Sequence, residues 1–169
     1  KLAFPKPNCT CQKEFALQVG VHPYKWELET FQYPGWALEQ ETEILFHPIH
    51  DTSFTFIEDE QQLDALVDRI SAERIIAVDL EHHNYRSFEG FVCLMQLSTR
   101  TEDFIIDTIA CRSFMHKLNG IFTNPFVLKI FHGAESDIIW LQRDFGIYVV
   151  GMFDTYFASK LLSLGGNSL

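Results

Sequence analysis

The stretch that most constrains this chain is RIIAVDLE, residues 74–81. Ile75, Ile76, Ala77 and Val78 form a short continuous apolar run, which suits a strand buried on both faces, and the run ends abruptly in acids. Successive strand residues point to opposite faces. Asp79 and Glu81, two apart, therefore project to the same side, with Cβ atoms roughly 6 to 7 Å apart. Two like charges at the lip of a hydrophobic core repel unless a cation neutralises them, and hard oxygen ligands favour Mg²⁺ or Mn²⁺. A strand that has simply reached solvent would carry the same two residues. This segment alone leaves both readings open.

The chain of 169 residues, 47% hydrophobic, is large enough to bury a core, and its length suggests one domain plus an appendage. No apolar run approaches the roughly 18 residues that cross a bilayer, and the first residues lack the charged and apolar regions of a signal peptide, so no membrane partner is expected. The chain starts at Lys1 rather than Met and its last segment, LLSLGGNSL, stops just after a turn, so both ends read as cut. Cys9 and Cys11 are one residue apart, and Cys93 and Cys111 have no matching His spacing, which speaks for buried or idle thiols in a reducing compartment, without disulfides.

The formal net charge of −10 argues at first against a nucleic-acid partner. Its distribution weakens that objection: residues 1–73 hold 13 Asp and Glu against 5 Lys and Arg, whereas residues 74–169 hold 10 against 8. Divalent cations bound among the acids of the second part would make its field positive toward a substrate.

Residues 1–51 show no steady period and are rich in Pro and aromatics, with Pro23, Pro34 and Pro48 expected to break any helix. They read as an extended strap whose Tyr24, Trp26, Phe31, Tyr33 and Trp36 pack across the domain that follows, at 52–169. TSFTFIED, residues 52–59, alternates as a short edge strand, and a helix follows to about Ile70 with Leu63, Leu66, Val67 and Ile70 at helical spacing. After RIIAVDLE come the polar loop HHNYRSFEG and two strands, FVCLMQLSTR and EDFIIDT, whose short links predict an antiparallel meander. Then follow a helix at 113–122, a strand at 127–132, a helix at 134–145, a short strand at 148–150 and a helix at 154–162. A meander extended by parallel βα units gives an α/β fold, a mixed sheet flanked by helices that resembles the ribonuclease H-like arrangement.

The second acidic element is FHGAESDIIWLQRD, in which Asp137 sits one turn into a helix with Trp140 and Leu141 three and four residues on, along the same face. A lone first-turn Asp commonly serves the helix dipole. An acid pair ending one strand together with an isolated acid on a later helix points instead to a metal site. Gly133 reads as a tight turn, His132 as a hydrogen-bonding strut, Asp154 as a helix N-cap, and Arg86 and Arg143 as solvated surface charges.

AVDLEHHNYRSFEGFVCLMQLST followed by FHGAESDIIWLQRDFGIYVVGMFDTYFASK is similar to the 3′–5′ exoribonucleases associated with the eukaryotic nuclear exosome, the ribonuclease D type of the four-acid exonuclease superfamily. The similarity runs over residues 52–169, and HPYKWELETFQYP resembles the strap that precedes that nuclease domain. The resemblance implies that Asp79, Glu81 and Asp137 are three of four metal-binding acids holding two divalent cations. It also implies that His82 and Trp140 line the pocket of the terminal nucleotide, that the partners are single-stranded RNA 3′ ends and exosome subunits, and that the setting is the nucleus, including the nucleolus.

One departure stands out. The family's third motif, a Tyr followed four residues later by an Asp, has no counterpart: four residues after Tyr156 stands Lys160, and Asp107 and Asp154 lack the right neighbours. The exonuclease domain is therefore expected to be incomplete at its C-terminus, and the chain by itself inactive. The function expected of the whole is two-metal hydrolysis of RNA from the 3′ end, releasing nucleoside 5′-monophosphates. A non-catalytic RNA-binding or scaffold module and a DNA exonuclease of the same superfamily are the alternatives.

Overall fold

In the computed structural model, which describes residues 20–40, 48, 52 and 54–164, the elements run α1 (Lys25–Thr30), β1 (Phe54–Ile57), α2 (Glu60–Ile70), β2 (Ile75–His83), β3 (Phe91–Ser98), β4 (Asp103–Asp107), α3 (Asn119–Phe122), β5 (Leu128–Phe131), α4 (Glu135–Phe145), β6 (Met152–Asp154) and α5 (Thr155–Leu161). The strands form one mixed sheet in the order β1-β4-β3-β2-β5-β6. The expected meander is β2-β3-β4, antiparallel throughout, while β1 joins β4, β5 joins β2 and β6 joins β5 in parallel.

Local chemistry accounts for α2. The Asp59 carboxylate caps it by accepting from the Gln62 N–H at 2.8 Å, and its buried stripe is Leu63, Leu66 and Ile70. Each of these side chains contributes about 1.5 to 3 kcal/mol by leaving water. They pack with Ile76, Val78 and Leu80 of β2 in the core.

The strand β2 is buried on one face only, which corrects the expectation of burial on both. Ile76, Val78 and Leu80 are buried, whereas Ala77, Asp79 and Glu81 are exposed. The register extends that open face across the sheet. One rung runs Phe56, Ile105, Gln96, Asp79; the next runs Phe54, Asp103, Ser98, Ala77, Ile130, Phe153. An apolar run reports hydrophobicity without saying which of its two faces is covered.

Three further expectations are corrected. The helix at 113–122 is a 3-10 turn at Met115–Leu118 leading into α3; the tighter turn eclipses Met115 and Leu118 and sends both into the core. The strand expected at 148–150 lies instead at Met152–Asp154, after Gly151, and the apolar 147–150 segment is an irregular buried connection. Its backbone is satisfied elsewhere, Tyr148 N–H donating to Asn119 Oδ1 at 3.1 Å and Val150 N–H to the Phe122 carbonyl at 3.0 Å.

The strap also contains a helix. Pro23 precedes α1 and Pro34 follows it, so neither removes one of its hydrogen bonds. Its aromatics pack largely as expected: the Tyr24 ring lies 5.4 Å from Tyr148, the Tyr33 hydroxyl donates to the Met152 carbonyl at 2.8 Å, Phe31 lies against Gly151, and Arg74 sits 6.0 Å over Trp36. Trp26 stays partly exposed. The remainder of the strap, with Cys9 and Cys11, lies outside the described residues, as do residues 165–169. Of the other thiols, Cys111 is buried and Cys93 half-buried, both free.

Candidate functional site

The acid pair sits where β2 approaches its end. Asp79 and Glu81 share the open face, and the pairing with β3 shifts register between Glu81 and His82. This bulge re-aims the strand just past the acids. Cys93 Sγ donates to the Glu81 carbonyl at 3.1 Å, and the Gln96 amide lies 3.5 Å from Glu81 Oε1.

Asp137 reaches the same place from α4. β5 lies beside β2 in parallel and ends at Phe131, so the helix that follows starts next to the acid pair. The turn between them passes through Gly133 at φ +74, as expected. Asp154 fixes it. Its Oδ1 accepts from the N–H groups of Gly133 at 3.0 Å and Tyr156 at 2.9 Å, and its Oδ2 from Ala134 at 2.8 Å, so one carboxylate caps α5 and ties it to the start of α4. Burial raises its pKa, but these backbone donors outweigh burial and hold it below the usual carboxylate range. His132 acts as a strut: the Thr155 hydroxyl donates to the Phe131 carbonyl at 3.0 Å and so accepts from His132 Nδ1 at 2.9 Å. Asp107 is likewise structural, accepting from Ile109 and Ala110 N–H.

Asp137 differs from these acids. It is only 8% exposed, and what reaches its carboxylate is solvent rather than a protein donor among the described residues. Burial, followed by the negative charges of Asp79 and Asp154, pushes its pKa up to about 6. A mostly buried carboxylate with acidic neighbours is unfavourable in its ionised form, and a divalent cation would relieve burial and repulsion together. Among the described residues no three His, Cys, Asp or Glu side chains already converge tightly enough to grip an ion. The donor set suits a hard cation.

Beyond the acids the site is aromatic. His82 and Trp140 are brought together, their rings stacked with centroids 4.1 Å apart. Trp140 packs its remaining surface on the core. One turn further along α4, Arg143 is a clamp rather than a solvated charge, which corrects its assignment from sequence. Its Nη1 donates to the Glu89 carbonyl at 2.9 Å, its Nε to Asp144 Oδ1 at 2.7 Å, and its Nη2 approaches the Gly90 carbonyl and His82 Nε2, each at 3.4 Å. Asp144 in turn accepts from Val92 N–H at 2.9 Å, fixing the start of β3. The spacing of Trp140 and Arg143, three apart on one helix, was the available signal; their partners lie far away in sequence. Arg86 is exposed, as expected.

Residues 54–169 match the 3′–5′ exonuclease family. The chain is 52% identical over 149 residues to exosome complex component 10 of Homo sapiens, covering 88% of this chain and 17% of that protein. It is 47% identical over 148 residues to the exosome complex exonuclease RRP6 of Saccharomyces cerevisiae, covering 88% and 20%. The structure of the catalytic core of RRP6 from Trypanosoma brucei superposes with a TM-score of 0.84 at 42% identity, over 88% of this chain and 41% of that one. Escherichia coli RNase D shares the fold, with a TM-score of 0.60 at 22% identity over 64% of this chain and 28% of that one. The chain spans a fifth or less of the two curated relatives.

Proposed function

Because this chain belongs to the 3′–5′ exonuclease family, we propose that it carries part of the active site of a hydrolytic exoribonuclease, one that trims RNA from the 3′ end and releases nucleoside 5′-monophosphates. The observation that carries this reading is Asp137, a buried acid held in the field of Asp79, with its pKa raised to about 6. Exonucleases of this family use divalent metal ions. Two of them, Mg²⁺ or Mn²⁺, held by Asp79, Glu81 and Asp137, would supply activation of a water and stabilisation of the leaving 3′ oxygen.

The residues of this chain do the positioning. Rings whose centroids are 4.1 Å apart leave no gap for a base between them. The terminal base therefore extends the His82–Trp140 stack on an outer face or takes the place of His82 on the indole. Either way it meets a π-face that every base can use, so sequence preference is weak. The family's third motif, a Tyr followed four residues later by an Asp, has no counterpart in residues 1–169, and the segment 20–40 braces the exonuclease domain through Tyr24, Phe31 and Tyr33. Exosome subunits are the partners, in line with the names of the relatives; RNA 3′ ends as substrate and the nucleus as setting follow from the resemblance of the sequence.

The experiment is product analysis with 5′-labelled RNA and DNA of matched sequence, using the full-length protein and the present chain alone. Stepwise shortening of RNA with release of 5′-monophosphates is expected from the full-length protein in Mg²⁺ or Mn²⁺, and none from the chain alone. RNA binding without shortening would leave a scaffold module; equal shortening of DNA would leave a nuclease indifferent to the 2′-hydroxyl.

A further inference from the structure

The loop between β2 and β3 leaves the site and returns to it. Gly90, with φ +68, lies so close to the His82 imidazole that an added Cβ would overlap its Cε1. Arg143 holds the same end of the loop through the Glu89 carbonyl at 2.9 Å and the Gly90 carbonyl at 3.4 Å. The loop thus begins at His82 and closes against it. Its tip is strongly exposed: Tyr85 is 86% exposed and Phe88 fully so, with exposed Asn84 and Arg86 beside them.

From this geometry we infer that residues 84–90 form a platform for the nucleotides upstream of an RNA 3′ end, with Tyr85 and Phe88 stacking on successive bases and Arg86 meeting a phosphate. The inference rests on the exoribonuclease reading and extends it beyond the terminal nucleotide. Reach supports it. Tyr85 is three residues from His82 and Phe88 two from Gly90, so their Cα atoms lie within roughly 10 Å and 7 Å of those anchors even at full extension. A stacked strand advances about 3.4 Å per nucleotide, which places both rings within about three nucleotides of the His82–Trp140 pair. Chemistry favours RNA over a protein partner: the tip offers aromatic faces, a guanidinium and an amide, with no aliphatic side chain, and the one acid of the loop, Glu89, lies in the field of Arg143. In a chain of net charge −10, such stacking adds affinity that phosphate contacts alone do not supply.

The test measures kcat/KM of the full-length protein on a dinucleotide and on a hexanucleotide RNA. Tyr85→Ala and Phe88→Ala, exposed positions whose truncation leaves the core intact, should each lower the hexanucleotide value about tenfold and leave the dinucleotide value unchanged. Tyr85→Phe should retain the wild-type value on both, and Arg86→Ala should reduce the salt dependence on the hexanucleotide. Equal losses on both substrates would move the aromatics into the terminal pocket and overturn the platform. No loss on either would overturn it too and leave the tip to a protein contact. A wild-type protein that shortens neither RNA would remove the exoribonuclease reading itself, and the platform with it.

Discussion

The imidazole of His82 lies flat on the indole of Trp140, with an interplanar angle of 3°. The contact joins the bulge at the end of β2 to the middle of α4, and so links the strand that carries Asp79 and Glu81 to the helix that carries Asp137. Removing the indole removes the stacking surface. Trp140→Ala in the full-length protein should weaken single-stranded RNA binding by about 1 to 3 kcal/mol while metal binding survives. The loss of stability should stay below the roughly 3 to 5 kcal/mol of a fully buried Trp, because this one is half-buried. A folded variant with unchanged RNA affinity would confine Trp140 to core packing.

Gly90→Ala should act on the same pair from the opposite side. The new methyl group would occupy the position of the imidazole edge, and its backbone would be held at a φ of +68 that favours glycine. His82 is expected to leave the indole, and affinity for a nucleoside 5′-monophosphate to fall. Titration of that ligand checks it; wild-type affinity would mean that His82 has no part in the pocket.

Asp79→Asn keeps the shape of the side chain and removes one of the charges that raise the pKa of Asp137. Turnover of the full-length protein should be nearly lost. The metal-free protein should melt at a higher temperature than the wild type, because repulsion between the acids is relieved. RNA shortening at close to the wild-type rate would take Asp79 out of the mechanism.

Asp137 predicts a pH dependence whose sign follows from its environment. Its folded pKa of about 6 lies above its ordinary value of 3.8, so between these two the folded state keeps a proton that the unfolded state has released. The Asp137 contribution to the stability of the metal-free protein should therefore be complete below the lower value and fade as pH rises through the upper one. A metal ion has to displace the same proton. Affinity for Mn²⁺ should fall by up to about tenfold per pH unit below about 6, and Asp137→Asn should flatten that dependence. Calorimetric titration at several pH values measures it, and a flat profile in the wild type would exclude Asp137 as a ligand.

Lys129 is fully buried in the core-facing row of β5, yet its ammonium donates to the carbonyls of Val127 at 2.6 Å, Asn124 at 2.8 Å and Ile121 at 3.4 Å. These acceptors match its N–H donors. Lys129→Met fills the space and takes the ammonium from the Val127 carbonyl, at about 1 to 3 kcal/mol, while the carbonyls of Ile121 and Asn124 keep the N–H groups of Asn124 at 3.1 Å and Val127 at 3.3 Å. Urea unfolding should show a loss of about 1 to 3 kcal/mol; a loss under about 1 kcal/mol would mean that water replaces the ammonium.

Covalent spacing alone was enough to place Asp79 and Glu81 on one side of a strand, to set Leu63, Leu66 and Ile70 on one stripe of α2, and to mark Asp154 as a cap, because each of these depends on residues within a turn or a pleat of one another. It could not say which side of β2 is covered: RIIAVDLE reads the same whether one face or both are buried, and the answer lies in the strands and helices around it. Nor could it place β6, since the apolar 147–150 segment satisfies its backbone through Asn119 and Phe122 rather than through a neighbouring strand. The approach of Asp137 to Asp79, the stacking of His82 on Trp140 and the grip of Arg143 on Gly90 all follow from the parallel pairing of β5 with β2, which sets α4 beside the end of the acidic strand. Periodicity fixes which side chains share a face; only the order of the strands decides what those faces meet.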